Sequence, residues 1–88
     1  MALSSEAENI ENTAQCILDA FLVNDVQAGN VLPYPELYNF LQDNYPKYKD
    51  VQKEAEMHLV KAAYINPAPE GLMLTQVGHR FIHQNDAK

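Results

Sequence analysis

The stretch YINPAPEGLMLTQVGHRF, residues 64 to 81, constrains the fold more than any other part of this chain. Short apolar runs flank a tip in which Pro67, Pro69 and Gly71 set turn dihedrals rather than continue a strand ladder. That pattern predicts a β-hairpin. Thr75 then opens a helical pattern as its cap, with Val77, Phe81 and Ile82 facing inward. Two strands alone are not stable in water, so the hairpin must pack against helices.

The rest of the sequence supplies those helices. Ser5-x-x-Glu8 reads as a capping box, with Glu6 also favourable at the positive end of the helix dipole. Ile10, Ala14, Ile17, Leu18 and Phe21 then form one apolar stripe. This helix is expected to fade near Val26, with Gly29 as a left-handed exit. Val31 and Leu32 make a brief strand that can add a third to the hairpin. Pro35 suits the first turn of a second helix carrying Leu37, Tyr38, Phe40 and Leu41, which Pro46 ends. A third helix, capped by Asp50, buries Val51, Ala55, Leu59 and Ala62 and exposes Gln52, Lys53, Glu56, Met57 and Val60. The predicted order is helix, strand, helix, helix, strand, strand, helix: a mainly α protein with a small β-hairpin, of the α+β class. The 88 residues make one domain, 1–88, with an ordered core over about residues 5–84.

Composition narrows the setting. The chain is 47% hydrophobic and 20% charged, as in ordinary globular proteins. Cys16 is the single cysteine, which excludes an internal disulfide framework and any multi-cysteine zinc site. No apolar run approaches the ~20 residues needed to span a bilayer. The acidic start MALSSEAENIEN lacks signal-peptide character, and HQNDAK carries no lipidation motif. A cytoplasmic protein that avoids membranes is expected.

The net charge of −6 is unevenly spread. Residues 1–46 hold Glu6, Glu8, Glu11, Asp19, Asp25, Glu36 and Asp43 and no Lys or Arg. Residues 47–61 hold Lys47, Lys49, Lys53 and Lys61 against Asp50, Glu54 and Glu56. Net acidity disfavours loose binding to phosphate backbones, and only this cluster offsets it.

The element order resembles the winged helix-turn-helix superfamily, as do two short phrases. LVKAAYI (Leu59 to Ile65) stands where many bacterial regulators of that superfamily carry Leu-x-x-x-Gly-Leu-Ile, and LTQVG (Leu74 to Gly78) matches a Leu-Thr-x-x-Gly phrase after the wing. The likeness covers roughly residues 10 to 84. It implies a transcriptional regulator, commonly a homodimer, whose third helix enters the DNA major groove. Two features depart from the pattern. Ala63 replaces the usual glycine, and the wing tip, Asn66 to Glu70, has no Arg or Lys to meet the negative minor groove.

The candidate DNA contacts are Lys47, Lys49, Gln52, Lys53 and Lys61: Gln52, Lys49 and Lys53 as base readers, Lys47 and Lys61 on phosphate. The plain alternative is a solvated helix face. Candidate partner-binding residues are Tyr45, Tyr48, Met57 and Val60, because amphipathic rings and exposed apolar groups suit protein interfaces. Tyr34, Tyr38, Tyr45 and Tyr48 cluster within fifteen residues, which suits a partner or stacking surface, but closing a small core is the better reading of them. Cys16, Ala20 and Val23 form a second stripe on the first helix, a candidate dimer face. His79 and His83 stand at chelating spacing, with His58 or Asp86 needed as a third ligand; a pair of plain imidazoles is the better reading, and no metal or cofactor is expected. No Gly-rich phosphate loop, nucleophile elbow or CxxC is present, and no catalytic residue is assigned. The leading expectation is a non-catalytic DNA-binding regulator, with a protein-interaction module that does not bind nucleic acid as the alternative.

Overall fold

A computed structural model describes residues 2–84, and side chains from residue 7 onward. The elements are α1 (Ala2–Val23), β1 (Val31–Pro33), α2 (Tyr34–Asn44), a 3-10 turn (Pro46–Asp50), α3 (Gln52–Lys61), β2 (Ile65–Pro67), β3 (Gly71–Leu74) and α4 (Gln76–His83). The expected order holds, with the short 3-10 segment inserted before α3.

α1 runs through the centre and touches α2, the 3-10 turn, α3 and α4. Thr13, Ala14, Cys16, Ile17, Leu18, Ala20 and Phe21 are all buried on it. Four neighbours leave no free second stripe. Cys16 and Ala20, read from sequence as a dimer face, are core residues; of that trio Val23 alone is exposed, at 68%. The helix also begins earlier than expected. It passes through Ser5 back to Ala2, so Ser5 lies inside it and not at its cap. Ala2, Leu3 and Ala7 are strong helix formers and carry it past the serine.

The exit differs as well. Val26 N–H donates to the Phe21 carbonyl (3.0 Å) and Asp25 N–H to that of Leu22 (3.1 Å). This paired closure puts Asp25, rather than Gly29, in the left-handed position ending α1, with φ 54°. Gly29, at φ 88°, instead turns the chain into β1 and donates to the Leu74 carbonyl at 2.8 Å.

The sheet is antiparallel throughout, in the order β1-β3-β2. The expected third strand is real: Val31 pairs with Met73 and Leu32 with Leu72. Alternation sends Leu72 and Leu74 into the core with Leu32 and Ile65. Each edge strand ends in a proline, Pro33 or Pro67, which lacks the N–H that another strand would need.

α2 carries Pro35 in its first turn and buries Leu37 and Leu41. α3 is entered without a side-chain cap. Asp50 closes the 3-10 turn, and Val51, 4% exposed, supplies the first helical acceptor to Ala55 N–H at 2.9 Å. Ala55 and Leu59 are buried as expected. Ala62 is exposed, because the helix ends at Lys61 and Ala62 forms the start of its exit.

Thr75 caps α4 by accepting from Gly78 N–H at 2.9 Å. The inward face of α4 is the expected one at Phe81 and Ile82, which pack against the core, but not at Val77. Val77 is 53% exposed, while Gly78 is buried against the Tyr64 carbonyl and Phe81 stacks on Tyr64 at 4.5 Å.

Candidate recognition surface

The residues singled out from sequence fall into separate places. Lys47 and Lys49 are exposed on the 3-10 turn, and Lys53 is exposed on the first turn of α3. Lys61 sits at the far end of α3, about 12 Å away along the axis at 1.5 Å per residue. Gln52 is half-buried, and its Nε2 donates to Glu56 Oε2 at 2.8 Å. This candidate base reader is therefore already engaged, by a carboxylate in the middle of the helix face that would meet DNA.

Two of the candidate partner residues belong to the interior. Tyr48 is 6% exposed and packs in the core. Tyr45 packs against that core and donates its hydroxyl to Asn9 Oδ1 at 2.8 Å, tying α2's exit to α1. Both rings close the small core, so the partner reading loses them. Met57, at 54%, stays exposed, and Val60 is half-buried.

Met57 and Val60 line a groove of about 330 Å³ between α3 and the hairpin, opposite Pro67 and Leu72, with Lys53 and Glu56 at its rim. A second cleft, of about 450 Å³, opens on the other side of the same helix face, between α3 and the start of α2. Its wall is Tyr34 and Tyr38, stacked at 5.6 Å and 20°. Lys53 and Glu56 line both hollows, so the outer face of α3 is the ridge between them. Tyr34 and Tyr38 belong to the tyrosine cluster that the sequence offers as a partner surface, and Pro67 to the Pro-rich turn; Leu72 was not assigned to any site. The i, i+4 spacing of the two tyrosines, one on each side of Pro35, was the available signal.

The hairpin does not reach outward. Its tip is a tight turn, Ala68 N–H to the Gly71 carbonyl at 2.8 Å. Tyr34 N–H donates to the Glu70 carbonyl at 3.0 Å and ties that tip to the start of α2. The tip presents Glu70 and no cation.

The remaining chemistry is sparse. The His79 and His83 rings lie 4.4 Å apart, and among the described residues no cluster of three or more metal-type ligands forms. Asp86 lies outside the described residues. Burial, with a smaller contribution from Asp19, pushes the Cys16 thiol up, which keeps it protonated and poorly nucleophilic at neutral pH. No described helix is long and apolar enough to cross a membrane. No protein family, curated protein or solved structure matches the chain.

Proposed function

We propose that this chain is a non-catalytic winged-helix module that recognises a protein partner through the outer face of α3 and the groove beside the hairpin. The element order and the β1-β3-β2 sheet support the winged-helix reading. The observation that carries the function is the groove itself. Met57, Val60 and Pro67 present apolar surface over the buried Leu72, where a DNA-binding winged helix would present polar and basic groups. Glu56 and Gln52 occupy each other beside it. With a net charge of −6, the chain repels phosphate backbones at long range.

One observation favours the DNA reading: Lys47, Lys49 and Lys53 gather exposed at the entry to α3. Three cations give weak, salt-sensitive binding at best. Selection of peptides from a random 12-residue phage library on the full chain separates the readings. The expected outcome is peptides that lose at least tenfold in affinity on Met57→Asp and keep it on Lys49→Glu. Failure to obtain any Met57-dependent peptide, together with anisotropy showing salt-sensitive binding of labelled duplex that Lys53→Glu abolishes, would replace this reading with DNA binding.

A further inference from the structure

The chemistry of the partner follows from the second cleft, and this step rests on the protein-recognition reading above. We infer that the partner segment carries an arginine close to a large apolar residue, with the guanidinium on the Tyr34/Tyr38 stack beside Glu56 and the apolar side chain in the groove formed by Met57, Val60 and Pro67.

The two hollows share the ridge of Lys53 and Glu56, so one short segment crossing α3 reaches both. Stacked tyrosine rings offer π faces, which attract cations. A carboxylate beside them adds a charged acceptor. Glu56 fills that position: after burial, its field is the largest influence raising the Tyr34 hydroxyl, ahead of that of Tyr38. Gln52 holds Glu56 Oε2, which orients the carboxylate in advance. Arginine fits better than lysine because its planar guanidinium lies flat on a ring while also forking onto a carboxylate.

Charge complementarity points the same way. Asp50, Glu54 and Glu56 outnumber Lys49 and Lys53 in the cleft lining. The cleft's other wall, α2, belongs to the part of the chain, residues 1–46, that holds no Lys or Arg. At long range the net charge of −6 draws a basic segment to the molecule and not an acidic one, and in the cleft the three carboxylates then outnumber the two lysines. Pairing as an added β-strand is disfavoured, since both sheet edges end in proline. Side chains in the hollows are left to provide the recognition.

The probes are the capped tripeptide acetyl-Arg-Gly-Leu-amide, its analogue with neutral citrulline in place of arginine, and acetyl-Arg-Gly-Ser-amide. Each is titrated into the full chain while the Tyr34 and Tyr38 ring signals and the Met57 methyl signal are followed by NMR. The arginine–leucine peptide is expected to shift all three saturably, with citrulline binding about fivefold weaker. Glu56→Gln should reproduce that loss for the arginine peptide and leave the citrulline peptide unchanged. Tyr38→Ala, at a half-exposed ring outside the core, should weaken the arginine peptide in the same way. The serine peptide should leave the Met57 methyl still. Equal binding of arginine and citrulline, or indifference to Glu56→Gln, overturns the inference. If leucine-containing peptides still shift Met57 in that case, protein recognition stands and only the arginine is wrong. If no peptide shifts either hollow and the phage library also yields nothing dependent on Met57, both fall together.

Discussion

Ala63 sits at φ 67°, in a region where a side chain crowds its own backbone. It is there because α3 ends with the same closure as α1. Tyr64 N–H reaches the Leu59 carbonyl at 3.0 Å and Ala63 N–H that of Val60 at 2.9 Å. The left-handed conformation costs an alanine about 1–2 kcal/mol, and glycine gives back about 0.5–1 kcal/mol as lost chain entropy. Ala63→Gly should therefore stabilise the fold by roughly 1 kcal/mol, or about 4–8 °C in Tm for a domain of this size. A melting temperature that stays put or drops would refute the assignment of strain. Asp25→Gly should gain less, because aspartate tolerates this region and its Oδ1 already accepts from Gln27 Nε2 at 3.2 Å. Thr13 offers the opposite kind of defect. It is fully buried, and its Oγ1 has no hydrogen-bond partner among the described residues. An orphaned hydroxyl costs about 1–3 kcal/mol in desolvation, so Thr13→Val should raise the urea midpoint by the equivalent of about 1 kcal/mol, while Thr13→Ser should lower it. A loss of stability with valine would mean that a water or an unseen acceptor serves the hydroxyl.

At the scale of elements, α4 is held to the hairpin by its first turn. The Thr75 hydroxyl accepts from Gly78 N–H and lies 2.9 Å from the Tyr64 carbonyl. A Cβ at Gly78 would drive into that same carbonyl, which cannot swing aside as a side-chain tip could. Two effects then oppose each other in Gly78→Ala. Helix propensity favours alanine by about 1 kcal/mol. Overpacking against fixed backbone costs about 1–3 kcal/mol and adds loss of the Tyr64–Phe81 stack as α4 lifts. Denaturant unfolding of this variant should therefore show net destabilisation, and a gain would mean α4 is not docked there. This element also shows what sequence can reveal. The Thr75 cap, the Pro-rich turn and the strand pair depend on neighbours within a few residues, and all were legible. The roles of Val77, Cys16 and Ala20 depend on what packs against each helix from elsewhere in the chain. Periodicity marks a face as apolar, but α1 is covered on four sides, and no helical wheel announces that. The aromatic cleft was legible only in part: the tyrosine cluster stands in the sequence, but Tyr34 and Tyr38 become a wall only once α3 lies opposite them.

For the whole molecule the question is whether the charge pattern stabilises or strains the fold. Seven acids and no Lys or Arg occupy residues 1–46, which form α1, β1 and α2, while four of the six cations lie between Lys47 and Lys61. Attraction between these regions would favour folding, and repulsion within the acidic one opposes it. Repulsion has the larger share at a net charge of −6, and on α3 the Glu56 carboxylate is held by Gln52 instead of a lysine. Screening should then relieve the fold. The range of exposed charges shrinks from about 30 Å at 0.01 M salt to about 10 Å at 0.1 M. The urea midpoint is expected to rise with sodium chloride over that interval, and Glu11→Lys should raise it at low salt while flattening the rise. The same experiment bears on recognition. A midpoint that falls with salt would show that the lysines at the entry to α3 are pulled into the acidic body. They would then be structural, and lost to DNA and to partner peptides alike.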